Sequence, residues 1–355
     1  MLVRLWALLV CLHAAVLAPA IQASAVIDSI AFGSCLRQHE PQPVWDGIMA
    51  SEPDLFLFIG DNIYADTEDI GVLRDEYAQL AAQPGYQTLR ARCPVHATWD
   101  DHDYGANDAG ADFPMRAASE QAFLDFFEIP QEAAVRRRPG VYDAHLYGPR
   151  GRRVQIILLD TRYFRGPLKR GLPTLTCRRV RYLPNNDPEA TLLGEAQWAW
   201  LEAQLRQPAK LRVLASSIQV IPDQHCFEKW GNFPRERERL FRLIRDTQAN
   251  GVVLISGDRH LADISRLAEH AVGYPVYEIT SSGMNSARSG WGEANSYRAI
   301  SDSFHENNFG LINIEWTVPN PIVRLEIRDA EGNVARRVEV QLKSLQRPQR
   351  TRVHQ

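Results

Sequence analysis

The amino-acid sequence predicts an α/β fold, and three observations carry that expectation. Strand-like runs recur at residues 29–32, 55–59, 95–99, 154–160, 211–216, 252–256 and 276–280, several of them the continuous apolar stretches expected of strands buried on both faces. Helical patterns fall between them. Three of the runs also lead straight into Asp/His clusters, which collects polar side chains at one edge of a sheet, where open α/β sheets place their sites.

Taken in order, the helical patterns occupy 42–51, 72–82, 118–127, 194–207 and 234–250. Pro234 at the start of the last and Asn250-Gly251 at its end are helix start and stop signals. The chain then changes character. Residues 309–316, 322–329 and 334–342 alternate or run apolar around turns at Pro319-Asn320-Pro321 and Glu331-Gly332-Asn333, the pattern of an antiparallel meander. With no Gly, Ser or Pro linker before it, the meander is expected to add to a second sheet of the same domain. From Gln346 the tail is basic, proline-containing and expected to fray. The organisation read from this is a leader over 1–25, one domain over 26–345 and a tail over 346–355.

The 355 residues are 45% hydrophobic and 23% charged, the composition of a soluble globular protein. A net charge of -3 leaves no electrostatic footprint for nucleic acid or an anionic membrane, and basic stretches such as Arg136-Arg137-Arg138 read as solvated loops. Met1 to Arg4 precede an apolar stretch over 5–21 and then Ala23-Ser24-Ala25, the small-x-small form of a signal-peptidase site. The stretch is interrupted by His13 and Pro19, and no other segment approaches the roughly 20 apolar residues of a membrane span. Export to a periplasmic or extracellular setting follows, with no stable span once the leader is removed.

Of five cysteines, Cys11 would leave with the leader. Cys35, Cys93, Cys177 and Cys226 then remain in an oxidising setting. Two bridges are allowed, as is one bridge plus a metal-bound thiolate. The second is preferred, because Cys35 follows the first strand in Phe-Gly-Ser-Cys and is aimed at the same sheet edge as Asp61; the loop-placed Cys177 and Cys226 are the candidates for the bridge.

Asp61 follows the run Leu-Phe-Leu-Phe-Ile-Gly, and Tyr64 lies three residues on. A carboxylate can bridge two cations, and a strongly acidic metal lowers the pKa of a phenol enough to make it a ligand. Alone, Asp-Asn is equally ordinary turn chemistry. Asp100-Asp101-His102-Asp103, with Asn107-Asp108 beyond, is harder to explain that way. Packed acids repel, and a divalent cation is the usual compensation, whereas an N-capping aspartate accounts for one of them only. Gly257-Asp258-Arg259-His260 adds an acid and an imidazole after another apolar strand, with Gly257 expected to permit a tight turn.

These segments, with Leu158-Leu159-Asp160-Thr161-Arg162 and Ser281-Ser282-Gly283-Met284, resemble the alkaline phosphatase D-like (PhoD-like) branch of the calcineurin-like metallophosphatases over nearly the whole chain beyond the leader. The resemblance implies a sandwich of two mixed β-sheets flanked by helices, with a polynuclear centre of Fe(III) and Ca(II), other divalent cations being the alternative. It puts Cys35 and Tyr64 on iron, Asp61 as the bridge, Asp258 and His260 completing the centre, and Asp101 or Asn107 as the remaining ligand. The implied activity is hydrolysis of a small-molecule or lipid phosphate ester, monoester or diester, by in-line attack of a metal-held hydroxide. His102 or a cation would assist the leaving alkoxide, and Arg162 could clamp a phosphate oxygen; a salt bridge to a nearby carboxylate is the plainer reading of that arginine. A phospholipase-type phosphodiesterase, or a non-catalytic metal- or polyanion-binding protein on the same fold, are the alternatives. Trp230 and Phe233 face two readings, contact with the substrate's organic part or core packing. Members of the better-known bacterial branch carry a β domain before Gly-Ser-Cys, whereas here the leader runs almost straight into it, so wider access to the site is expected.

Overall fold

The second strand shows how sequence pattern becomes architecture. All five residues of Leu55–Ile59 are buried, and the two-residue period of a strand sends them to different cores. Leu55, Leu57 and Ile59 join the apolar layer between two sheets, while Phe56 and Phe58 enter a second core beneath the helices. A continuous apolar run is therefore required here, because neither face meets water.

The computed structural model describes residues 25–348 apart from 179 and 291. The leader, save Ala25, and the end of the tail lie outside the described residues. In chain order the elements are β1 (Ser29–Gly33), α1 (Val44–Ala50), β2 (Leu55–Ile59), α2 (Ile70–Ala81), α3 (Pro84–Arg92), β3 (Val95–Thr98), α4 (Asp101–Tyr104), α5 (Arg116–Phe126), β4 (Asp143–Tyr147) and β5 (Val154–Leu158). After the short pair β6 (Lys169–Arg170) and β7 (Tyr182–Leu183) come α6 (Gly194–Leu205), β8 (Leu211–Ser216), α7 (Pro234–Asp246), β9 (Val252–Ser256), β10 (Ala262–Leu267), β11 (Val276–Ser281), β12 (Asn308–Glu315), β13 (Ile322–Asp329) and β14 (Val334–Gln341).

Two six-stranded sheets result, ordered β14-β13-β12-β1-β2-β3 and β10-β11-β9-β8-β5-β4. Both are mixed: β1, β2 and β3 run parallel, while β12 joins β1 antiparallel. The meander thus extends the sheet of the first three strands and does not build the other one. The second sheet comes from the middle of the chain, where β5, β8, β9 and β11 are parallel and β4 and β10 close the edges antiparallel.

Several elements depart from expectation for identifiable reasons. Helix α3 buries only Tyr86 and Leu89, too narrow an apolar face to register as a period. Edge strand β4 alternates buried and half-buried residues over five positions, and β10 carries buried Asp263 and Ser265 that mask its strand character. The run at 95–99 stops at Thr98, and α4 begins at the acidic cluster itself. Helix α7 starts at Pro234 as expected but ends at Asp246, because Gln248 turns left-handed at φ 56°. The tail is held at its start: the Arg347 amide donates to Asn250 Oδ1 at 3.1 Å and its Nε to the Val272 carbonyl at 3.1 Å, so fraying does not begin at 346.

Candidate metal centre

Parallel strands put their C-terminal ends on one side of each sheet, and in this sandwich the two sides face each other. Ser34-Cys35 leaves β1, Gly60-Asp61 leaves β2, Asp100-Asp101 follows β3 and Gly257 to His260 follow β9. Main-chain hydrogen bonds lock these turns together: the Leu36 amide donates to the Asp61 carbonyl at 2.9 Å, Gly257 to Ser217 at 2.9 Å, and Gly283 to Ser34 at 3.0 Å, the last joining the two sheets. Gly257 is needed for close approach, since a Cβ there would stand 2.5 Å from Ser34 Oγ; the tight left-handed turn falls on Asp258, at φ 66°. Gly60 serves both purposes, with φ 108° and only 2.6 Å between a Cβ and that of Asp100.

The backbone is strained where the chemistry gathers. Cys35, Asp61, Asp258 and His260 have φ of 58°, 49°, 66° and 55°, a region that costs a non-glycine residue about 1–3 kcal/mol and is retained chiefly at functional sites.

Asp61 stands at the middle. Its Oδ2 accepts from the Cys35 thiol at 3.2 Å and the Tyr64 hydroxyl at 3.3 Å, while Oδ1 accepts from the His102 amide at 3.4 Å. Ligand atoms of Cys35, Asp61 and His260 lie within 4.8 Å of one another, as do those of Asp61, Asp101 and His102. The single carboxylate therefore belongs to two groups of donors, one holding the thiol and the phenol, the other a second carboxyl.

His260 is oriented for lone-pair donation. Its Nδ1 sits 2.6 Å from the Ser286 carbonyl, which can only accept, so the proton is on Nδ1 and Nε2 is left bare. Nε2 is 3.4 Å from Tyr64 Oη. Burial, with Arg288 and Arg259 adding to it, drops the imidazole to about 3, keeping it neutral.

The acids show the opposite strain. Burial, then the Asp61 charge, pushes the Cys35 thiol well up, and burial, then Cys35 and Asp61, does the same to Tyr64. Asp61 is raised by burial, with Asp101, Asp103 and Asp258 adding to it, and Asp258 is carried to about 7 by burial despite Arg259. Burial also raises Asp101, yet His102, Arg162 and the Asp108 amide outweigh it and leave that carboxyl low. Neighbours that cannot all ionise together, on a chain that retains the strain of assembling them, are a donor set that fits cations.

The other expected site residues fall into place differently. Arg162 is fully buried between Asp100 and Glu228, at 2.5 and 2.6 Å; the salt bridge is what is found, and a clamp on substrate would require breaking it. Asn107 is exposed and donates to Asp108 Oδ2 at 2.7 Å, outside the gathered donors. His102 stacks on Tyr64 with centroids 4.3 Å apart. Its Nδ1 lies 2.8 Å from both oxygens of Asp66. Burial would lower this imidazole, but Asp101, Asp61 and Asp66 carry it to about 11. Trp230 and Phe233 are core residues, the indole donating to Ser216 Oγ at 2.9 Å.

Sequence reasoning overlooked several supports. Ser282 Oγ is 3.0 Å from Cys35 Sγ and accepts from the His260 amide at 2.7 Å. Asp103 accepts from the Asp61 amide at 3.2 Å and Asn62 Nδ2 at 2.6 Å, so it is structural. Arg37 lies 4.3 Å above the Tyr64 ring. Ser282 and Asp103 lie inside motifs already singled out, but nothing in a motif distinguishes a ligand from its neighbour's hydrogen-bond partner.

A model of the PhoD-like phosphatase family matches residues 30–316. The chain belongs to that family. A curated relative, alkaline phosphatase D of Bacillus subtilis (strain 168), is 24% identical over 67% of this chain and 47% of its own length; the chain spans about half the length of that protein. Among solved structures the fold is similar to one described as the structure of PhoD, with TM-score 0.69 and 20% identity over 91% of this chain and 70% of that one. It is also similar to GAP50, described as the anchor in the inner membrane complex of Plasmodium, with TM-score 0.56 and 10% identity over 89% of each chain. The two mixed sheets flanked by helices are therefore the architecture expected of the PhoD-like family.

Cys177 and Cys226 form a disulfide, with Cα atoms 5.5 Å apart, while Cys35 and Cys93 are free and buried. The bridge joins the two loop-placed candidate cysteines, and the Cys35 thiol lies beside Asp61. Among the described residues no helix is long and apolar enough to cross a membrane.

Proposed function

We propose that this PhoD-like chain is an exported, metal-dependent phosphoric ester hydrolase, with cations held by Cys35, Asp61, Tyr64, Asp101, Asp258 and His260. One observation carries the reading: Asp61 is shared by two groups of potential ligand atoms, one with Cys35 and His260 and the other with Asp101 and His102, as expected of a carboxylate that bridges two cations. The group with thiol, phenol and imidazole suits iron, and the carboxylate-rich group suits calcium. Export is supported by the leader motif and by the Cys177–Cys226 disulfide, a bond that persists in oxidising compartments.

Bound cations would supply the charge that acidifies a water and offsets the phosphoryl oxygens. The protein's own residues do the rest. Ser286 and Ser282 fix His260 and the Cys35 turn, Arg162 holds Asp100 and Glu228 behind the centre, and Asp66 orients His102 to hand a proton to the departing alcohol oxygen. Asp101 is preferred to Asn107 as the further ligand, because its side chain is buried beside Asp61.

Purified protein should contain iron and calcium by elemental analysis, hydrolyse p-nitrophenyl phosphate, and lose that activity on calcium chelation. Asp61→Ala should abolish turnover in a protein that still melts cooperatively. Full activity in the variant, or in metal-free wild type, would refute the bridging role. Visible charge-transfer absorbance that disappears in Tyr64→Phe would place iron on the phenol.

A further inference from the structure

A cavity of about 530 Å³ opens between the loops joined by the Cys177–Cys226 disulfide and the segment around Glu293, within the roughly 300–1,000 Å³ of ordinary small-molecule sites. The Cys177–Cys226 disulfide, Leu175 and Phe227 form apolar walls, and Gln224, His225 and Glu293 bring polar groups to it.

Two chains of contact tie the cavity to the candidate metal centre. Arg259, adjacent to Asp258, lies 3.9 Å from the Phe227 ring centroid and pairs with Glu293. On the other side, the Tyr182 amide donates to the Cys226 carbonyl at 2.9 Å. The Tyr182 hydroxyl donates to Asp108 Oδ2 at 2.6 Å, and the Asp108 amide donates to Asp101 Oδ2 at 2.7 Å. The walls of the cavity therefore rest on the loops that carry Asp258 and Asp101.

His225 is the informative residue. It is 7% exposed, and neither ring nitrogen has a hydrogen-bond partner among the described residues. A buried imidazole without partners is costly and gains from a ligand that supplies them. Burial, then Arg259 and Lys229, holds its pKa well below the ordinary value, so the ring offers one donor and one acceptor and carries no charge. Glu293 is engaged by Arg259, and Arg178 is exposed with its Nε on the Leu175 carbonyl at 3.2 Å. Among the described residues that line the cavity, His225 is thus a neutral, buried side chain whose ring nitrogens lack partners, set between apolar faces.

We propose that this cavity is a subsite for an uncharged cyclic group on one alcohol of a phosphodiester, its polar edge bonded to His225 and its faces against Leu175, Phe227 and the disulfide. The inference rests on the phosphoesterase reading and adds a substrate class to it.

Two diesters with the same leaving group test it on the full chain with its cations: methyl p-nitrophenyl phosphate and the p-nitrophenyl ester of thymidine 5′-phosphate. Hydrolysis of either releases p-nitrophenolate, so a difference in kcat/KM reports the retained alcohol. Wild type should favour the thymidine ester by about tenfold, a difference of about 1.4 kcal/mol. His225→Leu should erase most of that preference through KM, leaving the methyl ester and inhibition by inorganic phosphate unchanged. Ala294→Trp, at an exposed lining position, should do the same by filling the cavity, and it covers the case in which His225→Leu does not fold. Turnover of both esters without preference, or equal losses on both in a folded variant, overturns the subsite alone. Turnover of neither by wild type overturns the phosphoesterase reading and the subsite with it.

Discussion

His102 shows how much a side chain's role depends on its neighbours. Its Nδ1 is held by Asp66, a residue that no spacing rule connects to it, and the ring is stacked on Tyr64. A proton donor to the leaving oxygen matters most when that oxygen is a poor leaving group. His102→Ala should therefore slow hydrolysis of an alkyl phosphate by about 10²–10⁴-fold while affecting p-nitrophenyl phosphate far less; equal losses on both would point to a ligand role. Arg162 invites a different measurement. Removing one partner of a buried ion pair strands the others, at a cost of about 3–5 kcal/mol. Arg162→Met should lower stability in urea by that order while leaving inorganic phosphate a comparable inhibitor, whereas a lost clamp would weaken phosphate binding with little change in stability.

At the scale of elements, the β6–β7 pair and the loops around it are stapled to the segment preceding α7 by the Cys177–Cys226 bridge, with a sequence separation of 49. Closing a loop of that length stabilises by about 4 kcal/mol in the chain-entropy account. Cys177→Ser/Cys226→Ser should lose up to that amount in denaturant melts, and reductant should lower wild type alone. The helices carry a complementary lesson. Glu236, in the first turn of α7, accepts from the amides of Leu192 and Leu193 at 2.8 and 3.3 Å and from the Trp198 indole at 3.0 Å. One side chain thus docks the start of α6 on α7. Both helices were legible from their apolar period, but the carboxylate joining them reads in the sequence as one more solvated charge in an Arg/Glu run.

At the scale of the molecule, two sheets expose their edge strands side by side. His96 of β3 and His145 of β4 stack across that seam with centroids 3.5 Å apart and planes at 7°, and His96 Nε2 is 2.6 Å from the Tyr147 hydroxyl. Burial, then each other's proximity, lowers His96 well below its ordinary pKa, and burial lowers His145 against the pull of Asp143. An imidazole whose folded pKa is depressed gives stability that is present above its unfolded pKa and lost as pH falls below it. The wild type should accordingly weaken between about pH 6.5 and 5, and His96→Phe/His145→Phe should show a smaller loss over the same window in urea midpoints. Asp258, raised to about 7, acts in the opposite sense, losing its contribution as pH rises, so the comparison between the two proteins isolates the seam. An unchanged difference would show that the stacked pair does not titrate in this range.

The sequence alone determined the α/β class, the strands buried on both faces and the strand ends that carry Cys35, Asp61 and Asp258, and it offered Cys177 and Cys226 as candidates for a bridge. Each is written in local pattern: an apolar run bounded by Gly and Asp, or a cysteine left over in a loop. Only the tertiary structure decided that the meander extends the first sheet, that Arg162 is committed to Asp100 and Glu228, that Asn107 faces outward, and that the buried His225 ring nitrogens have no hydrogen-bond partner among the described residues. Those outcomes depend on which surfaces meet when two sheets close on each other, and residues far apart in the chain carry no local signal of the burial and charge they will share.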